Sequence, residues 1–257
     1  MIFIIICILF FQQLQNDRVL AAIANVSADL ELIRVNHNMP GLSALAFKNG
    51  SIVAQGASGY RRLGNPTPLL VTDRINLGSN SKWMTATVAG RLVDQNAFRN
   101  ATLEQFLAHR SGVQQSTTFY SRYYDALLAQ KGTFCQIRYW VTETVLKDVP
   151  EVQPGEFLYA NQGYAVAAAM MEQITGRDWE SLVQEHVFTA LQMTSATIGV
   201  VYDDIIPPKT PVGHDLAPNK TIPVPRPLPS SIFLRNDQAA TGPAGYIACT
   251  MQDWVKF

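Results

Sequence analysis

The stretch from residue 78 to residue 94 constrains this chain more than any other. After Gly78, apolar residues recur at the spacing of a helix, namely Ala86, Val88, Ala89, Leu92 and Val93. We therefore expect a helix whose first turn contains Ser79. Residues three apart share one face of a helix, so Lys82 should bring its amine beside the hydroxyl of Ser79, while Ser81 points elsewhere.

Spacing alone leaves two interpretations of this pair open. An activated serine needs a neighbouring group that takes its proton, and the positive end of a helix favours negative charge on the serine and its adduct. A serine that caps a helix, followed by a solvated lysine, would give the same spacing, which also arises by chance. Ser79 and Lys82 are therefore a candidate nucleophile and its partner.

The composition is that of a globular chain with balanced charge. Its 257 residues are 47% hydrophobic, which is ample for a sizeable core. Twenty basic residues offset twenty acidic ones without a run of like charge, so nothing indicates a nucleic-acid partner or an anionic membrane surface. We expect the partner to be a small-molecule or peptide-like substrate.

Residues 2–11 form an apolar run that is too short to span a bilayer as a helix but has the length of a signal-peptide core. We expect residues 1–16 to be a signal peptide, residues 17–257 to form the domain, and the protein to be secreted without a membrane partner. An uncleaved N-terminal membrane anchor is the alternative, because no basic residue precedes the run and no clear cleavage site follows it. Four glycosylation acceptor sequences are compatible with a secretory route, and they begin at Asn25, Asn49, Asn100 and Asn219.

The cysteines and histidines do not indicate a metal or a cofactor. Beyond the apolar run, Cys135 and Cys249 could close one disulfide or remain two thiols, and we expect free thiols. The four histidines, at positions 37, 109, 186 and 214, lack the spacing of known ligand motifs. The chain also has no Gly-x-Ser-x-Gly elbow and no glycine-rich phosphate loop, which disfavours an α/β-hydrolase and a nucleotide-binding enzyme.

The order of the predicted elements indicates an α+β fold. Residues 41–55 predict a hairpin, because Asn49-Gly50 separates two strand-like runs, and the glycines and prolines from Gly56 onward predict a loop. Helices are predicted mainly between residues 100 and 200: a short one after a capping box at Thr102, then 119–149, 163–174 and one opened by Asp178. A hairpin, then helices, then a return towards strands is typical of an α+β domain.

The last third of the chain is rich in proline. Eight of the 14 prolines fall between Pro207 and Pro229, which predicts a long surface loop. We expect Thr241-Gly-Pro-Ala-Gly245 to end that region and residues 247–257 to begin a helix.

Three polar residues near the helices are explained by structural roles when each is taken alone. His109 lies in the last turn of the first short helix, where a histidine is more often a cap or a packed side chain than a catalytic group. Tyr159 and Asn161 stand at the entrance of the helix from Gly163, as an interfacial aromatic and a helix cap would.

Four motifs taken together resemble the serine β-lactamase-related family in their order and separation. They are Leu77-Gly-Ser-Asn-Ser-Lys82, Leu107-Ala-His-Arg-Ser-Gly112, Pro154-Gly-Glu-Phe-Leu-Tyr-Ala-Asn161, and Gly242-Pro-Ala-Gly245 followed by Thr250-Met-Gln-Asp253. The family includes class C β-lactamases, D-alanyl-D-alanine carboxypeptidases and related esterases. The resemblance begins near Asn36 and implies a β-lactamase/transpeptidase-like fold, in which an antiparallel sheet domain is joined to a helical domain.

The resemblance also implies roles for four residues. Ser79 would be the acylated nucleophile, Lys82 its activating partner and Tyr159 the general base. Asn161 would be a donor that orients the substrate and the lysine. The chemistry agrees, because a serine hydroxyl needs a base and the Lys82 cation can hold Tyr159 close to phenolate. Lysine and tyrosine both remain candidates for the proton acceptor.

The chain departs from the family pattern near its C-terminal end. We find neither the third motif Lys-Thr-Gly nor His-x-Gly, because His214-Asp-Leu lacks the glycine, and Tyr246 replaces a residue that is commonly glycine. Since the strand with that motif normally follows the last segment of this sequence, we expect a C-terminally truncated member whose C-terminal strands are missing. A degenerate paralogue is the alternative.

The sequence therefore carries two hypotheses on function. The leading one is a serine hydrolase that acts through an acyl-enzyme on an ester, amide or β-lactam carbonyl, because all residues of the first two motifs are present. The alternative is a non-catalytic binding or scaffold paralogue that has kept the β-lactamase-like fold.

Overall fold

The computed structural model describes residues 22–94, 103–199, 207–216, 222–227 and 229–257, without the side chains of Val93 and Asp94. The predicted signal peptide, the cap at Thr102 and the acceptor sequences at Asn100 and Asn219 lie outside the described residues. The chain divides into two compact units. The first comprises the residues up to 75 with 201–228 and 249–256, and the second comprises 76–200, 229–248 and 257.

The described residues form eight strands and nine α-helices. The strands are β1 (Ala24–Asn25), β2 (Gly41–Lys48), β3 (Ser51–Gly59), β4 (Ile75–Asn76), β5 (Thr197–Ile198), β6 (His214–Leu216), β7 (Pro223–Pro225) and β8 (Ile247–Cys249). The α-helices are α1 (Ser27–Asn36), α2 (Ser81–Asp94), α3 (Leu103–Leu107), α4 (Ser116–Leu128), α5 (Phe134–Lys147), α6 (Asn161–Thr175), α7 (Trp179–Val183), α8 (Ser231–Gly245) and α9 (Met251–Trp254). A 3₁₀ turn (Gly78–Asn80) precedes α2, and a π-helical segment (Gln184–Thr189) follows α7.

The first unit is built on a three-stranded sheet in which β3 lies between β1 and β2. Strands β2 and β3 are antiparallel, as predicted, whereas β1 runs parallel to β3. Asn49 and Gly50 join the hairpin with φ angles of 49° and 81°. Positive φ at both central residues is what a type I′ turn requires, so the Asn-Gly signal identified this hairpin correctly.

The loop predicted from Gly56 onward begins too early, because β3 continues through Gly56 to Gly59. A Cβ on Gly56 would lie 2.6 Å from the main-chain nitrogen of Ser27, the first residue of α1. The glycine therefore marks a close approach of two main chains inside a strand and not the end of that strand.

The proline-rich segment holds more regular structure than we predicted. Its described residues include β6 and β7, which pair in an antiparallel two-stranded sheet with His214 opposite Pro225. Proline lacks a main-chain donor, but it is tolerated in edge strands such as these.

The second unit is mainly helical. Helices α2, α6 and α7 fall where the sequence predicts them, whereas the predicted stretch 119–149 holds two helices, α4 and α5, and α8 was not predicted. Helices α5, α6 and α8 pack against one another. Gly176 ends α6 with a φ of 68°, and Asp178 caps α7 by accepting a hydrogen bond from the N–H of Ser181 at 2.7 Å. The strands of this unit are short: Thr197 pairs with Ala248 where β5 meets β8.

The prediction for residues 241–257 is wrong in two respects. Residues 241–245 form the last turn and a half of α8, and the chain then passes through β8 before α9 begins. The prediction failed because proline and two glycines within five residues disfavour a helix. Thr250 caps α9 by accepting from the N–H of Asp253 at 3.2 Å.

The buried side chain of Arg138 compensates for the hydrogen bond that the proline inside α8 cannot donate. Pro243 cannot donate to the carbonyl of Ala239 four residues earlier, and that carbonyl accepts from Nη1 of Arg138 at 3.0 Å instead. Arg138 is fully buried and also bonds the carboxylates of Glu172 and Glu180, each at 2.8 Å. A side chain of α5 thus satisfies the main-chain acceptor that the proline leaves without its helical donor.

Cys135 and Cys249 are free thiols, as expected. Within the part of the chain that the structure describes, no helix is long and apolar enough to cross a membrane. The same residues contain no cluster of three His, Cys, Asp or Glu side chains that could hold a metal ion.

Candidate active site

Ser79 lies in the 3₁₀ turn that leads into α2, two residues before the α-helix begins. Gly78 holds this turn with a φ of 53°, and its N–H donates to Oδ1 of Asn76 at 2.8 Å. The left-handed conformation explains why glycine stands before the serine. The turn leaves the side chain of Ser79 exposed.

Lys82 reaches the hydroxyl of Ser79, as the three-residue spacing predicted. Its side chain is almost fully buried, with 5% of the residue exposed. Nζ lies within hydrogen-bond distance of three acceptors: Oγ of Ser79 at 3.3 Å, Oδ1 of Asn161 at 2.8 Å and the carbonyl of Ala244 at 2.8 Å. An ammonium group has three N–H donors, so the charged form is satisfied by these contacts.

Burial lowers the pKa of Lys82 from 10.5 to about 7. Desolvation disfavours the charged form, and no carboxylate is among the three acceptors of Nζ. A neutral amine can donate to Asn161 and Ala244 and turn its lone pair to Ser79. Near neutral pH both protonation states of Lys82 are therefore accessible.

Tyr159 approaches the same hydroxyl from the segment that precedes α6. Its OH lies 2.6 Å from Oγ of Ser79, and the centroid of its ring lies 4.8 Å from Nζ of Lys82. A cation held over a tyrosine ring is attracted to it. The two proton-acceptor candidates of the sequence, Lys82 and Tyr159, thus both contact the serine.

Asn161 is the first residue of α6, and the residue at the cap position is Ala160. The side chain of Asn161 does not cap the helix but accepts a hydrogen bond from Lys82 through Oδ1. The cap interpretation is therefore wrong for this residue. The resemblance implied a donor that orients the substrate and the lysine; towards Lys82 the amide oxygen of Asn161 acts as an acceptor.

Ser81 has a different environment from Ser79. It is fully buried, and its Oγ accepts from the main-chain N–H of Ile247 at 3.0 Å. The carbonyl of Ile247 in turn accepts from the N–H of Leu77 at 2.8 Å. These two bonds fasten the serine-bearing turn to β8, so Ser81 is a structural residue.

Two contributors to the site were not identified from the sequence. The carbonyl of Ala244 is a main-chain acceptor for Lys82, and it lies near the end of α8, a helix that was not predicted from the sequence. His109, interpreted as a cap or a packed side chain, lies with its ring 4.3 Å from that of Tyr159. Its place in the motif Leu107-Ala-His-Arg-Ser-Gly112, which resembles the family pattern, was the signal that could have identified it.

These side chains line a cavity of about 580 Å³ in the second unit. Its walls include Ser79, Lys82, Tyr159, His109 and Trp83, and the last is largely exposed. A cavity of this size is typical of sites that take small molecules.

The comparison with known families settles the resemblance, because the model of the Beta-lactamase family matches residues 17–257. The chain belongs to the Beta-lactamase family. Penicillin-binding protein 4 of Amycolatopsis lactamdurans is 23% identical over 250 residues, which cover 88% of this chain and 60% of that protein. This member of the Beta-lactamase family thus spans less than two thirds of that curated relative.

Solved structures of the same fold include a D-amino acid amidase from Ochrobactrum anthropi SV3, complexed with L-phenylalanine. It has a TM-score of 0.66 and 19% identity, over 90% of this chain and 69% of the amidase. The octameric penicillin-binding protein homologue from Pyrococcus abyssi also has a TM-score of 0.66 and 19% identity, over 89% of this chain and 55% of that one. The predicted α+β, β-lactamase/transpeptidase-like fold is therefore confirmed.

Proposed function

We propose that this protein is a serine hydrolase that forms an acyl-enzyme at Ser79 with an ester, amide or β-lactam carbonyl. The observation that carries the proposal is the position of the Ser79 hydroxyl, 2.6 Å from the OH of Tyr159 and 3.3 Å from Nζ of Lys82. A serine becomes a useful nucleophile when a neighbouring group can take its proton, and both neighbours can do so.

In the proposed reaction, Oγ of Ser79 attacks the carbonyl carbon while its proton passes to the acceptor. Tyr159 is the candidate general base when Lys82 is charged, and Lys82 is the base when it is neutral. The proton then goes to the oxygen or nitrogen of the bond that breaks, and the acyl group stays on Ser79. An ester releases its alcohol and an amide its amine, whereas the nitrogen of a β-lactam stays attached to the acyl group through the opened ring. Water attacks the acyl-enzyme in a second step, which frees the acid and restores the serine.

The environment of the serine supports this chemistry. Lys82 is buried and its pKa is lowered by desolvation to about 7, close to the pH at which a base is most useful. Relatives named for amidase activity and for penicillin binding support a carbonyl substrate. Burial destabilises the charged form of this lysine, and a non-catalytic scaffold protein would not require such a residue.

A fluorophosphonate probe and a fluorescent penicillin test the proposal directly. We expect covalent labelling of the protein, an adduct that maps to Ser79 by mass spectrometry, and no labelling of Ser79→Ala. The matched control is Ser121→Ala, which removes an exposed serine of α4 and should leave labelling unchanged. Labelling that survives Ser79→Ala, or a folded wild-type protein that neither probe labels, would refute the acyl-enzyme.

A further inference from the structure

His109 occupies a main-chain position that glycine usually takes. It follows α3, and its φ is 57°. The N–H of Arg110 donates to the carbonyl of Gln105 at 2.7 Å, and the N–H of His109 donates to that of Phe106 at 3.3 Å. These are the two bonds of a Schellman motif, with His109 as its left-handed residue.

A side chain at such a position is strained relative to glycine, because its Cβ comes close to the following carbonyl oxygen. Strain of this kind persists where the rest of the structure needs the residue, and it concentrates at functional sites. The contacts of the His109 side chain indicate what that need is.

His109 bonds both neighbours of Tyr159 in the chain. Its carbonyl oxygen accepts from the N–H of Leu158 at 2.8 Å, and its Nδ1 accepts from the N–H of Ala160 at 3.2 Å. The main chain of Tyr159 is therefore held on each side by one and the same residue.

The imidazole ring also packs against the Tyr159 side chain. The two ring centroids are 4.3 Å apart with an angle of 33° between the planes. The ring of Tyr164 also lies 5.4 Å from that of His109 and is fixed by a hydrogen bond from its OH to the carbonyl of Leu107 at 2.8 Å. The imidazole therefore packs against two tyrosine rings, and Tyr159 is one of them.

We propose that His109 is a positioning residue that holds the hydroxyl of Tyr159 against Ser79, and that it does so as a neutral imidazole. The proposal rests on the proposed role of Tyr159 in acylation. No hydrogen bond joins the side chain of His109 to Ser79; the histidine acts through the tyrosine.

The neutral form is required because Nδ1 accepts a hydrogen bond. A proton on Nδ1 would oppose the N–H of Ala160 and place a cation close to Lys82. The ionisable groups that face the ring are Lys82 from α2, Tyr159 from the segment before α6 and Tyr164 from α6. Burial and the charge of Lys82 lower the pKa of His109, which favours the neutral form.

Three substitutions separate the contributions of the residue. His109→Asn offers an acceptor oxygen near the place of Nδ1, tolerates a positive φ and does not titrate. His109→Phe keeps an aromatic ring without the acceptor. His109→Gly relieves the strain but removes the whole side chain. We therefore expect its activity to fall clearly while its free energy of unfolding changes little.

The measurement is kcat/KM for a chromogenic ester between pH 5 and 9, with unfolding followed in parallel. We expect His109→Gly and His109→Phe to lose about 10- to 100-fold, as small misplacements of a reacting group do, and His109→Asn to lose less. Below pH 6.5 the logarithm of kcat/KM should fall with a steeper slope in wild type than in His109→Asn, because one titrating group is absent from the variant.

A Tyr159→Phe background shows whether His109 acts through the tyrosine. There, His109→Gly should cause little further loss, since residues that act as a unit are not additive. An equal further loss in that background, or wild-type kcat/KM in His109→Gly, would overturn the proposal. If wild-type protein does not acylate at Ser79, the proposed function has failed, and this outcome is distinct from an acylating enzyme that tolerates His109→Gly.

Discussion

The hydroxyl oxygen of Tyr159 lies 2.6 Å from Oγ of Ser79, whereas Nζ of Lys82 lies 3.3 Å from the same atom. We therefore expect Tyr159→Phe to slow acylation by about 10²- to 10⁴-fold, the range of a lost general base. Stopped-flow measurement with a fluorophosphonate or a chromogenic ester gives the rate. Because Tyr159 is partly exposed, the free energy of unfolding should change little. Acylation within a few-fold of wild type would assign the proton transfer to Lys82.

The buried amine of Lys82 should make stability depend on pH in an alkaline window. In the unfolded chain the lysine holds its proton up to about pH 10.5, whereas in the folded protein it loses the proton near pH 7. Between these values the unfolded state binds more protons, so the free energy of unfolding rises with pH, by about 1.4 kcal/mol for each unit of pKa shift.

Urea denaturation of wild type and Lys82→Met at pH 6, 8 and 10 tests this dependence. The stability of wild type relative to the variant should increase from pH 6 to pH 10, while activity is lost in the variant at every pH. A difference that stays constant over this range would show that the pKa of Lys82 is not lowered.

Asn161→Asp should shift the pH dependence of acylation. A carboxylate in place of the amide oxygen, 2.8 Å from Nζ, favours the charged form of Lys82 and raises its pKa. If neutral Lys82 contributes to activity, the acid limb of kcat/KM moves to higher pH. Asn161→Ala, which removes the acceptor without adding charge, is the control and should move that limb much less.

Arg138 should contribute far more to stability than the exposed Arg177. Removing one partner of a buried ion pair typically costs about 3–5 kcal/mol, and Arg138→Met would leave buried Glu172 without its cation and the carbonyl of Ala239 without the guanidinium donor. Arg177→Met breaks an exposed pair with Glu185 at 2.7 Å, which is worth about 1 kcal/mol or less. Equal shifts of the two denaturation midpoints would contradict this ranking.

From residues 2–11 and the acceptor sequences, we propose that the protein enters the secretory route. Asn49 is exposed at the tip of the β2–β3 hairpin, where a glycan can be attached. Expressed in a eukaryotic cell, the protein should lose mass on glycosidase treatment, and Asn49→Gln should remove part of that loss. An unglycosylated product that retains Met1 would contradict the proposal.

Local chemistry made the most reliable features predictable. The hairpin followed from Asn49-Gly50, since few other residue pairs accept positive φ twice. The juxtaposition of Ser79 and Lys82 followed from the pitch of a helix, although the serine proved to lie in a 3₁₀ turn before it.

The errors arose where tertiary contacts override local preference. Gly56 does not interrupt β3, because the glycine admits the backbone of α1, and Pro243 does not end α8, because Arg138 supplies the missing donor. The bond between Asn161 and Lys82 joins residues 79 positions apart. Such a contact follows from the resemblance to a family, not from propensity.

The pairing of Pro243 with Arg138 predicts how these two positions vary among related chains. If position 243 changes to a residue with a main-chain N–H, that group can bond the carbonyl of Ala239, and the guanidinium is no longer the group on which this carbonyl depends. If Arg138 is replaced while the proline stays, the carbonyl is left buried without a donor. The two positions should therefore be exchanged together, and Pro243→Ala should restore part of the stability lost in Arg138→Met.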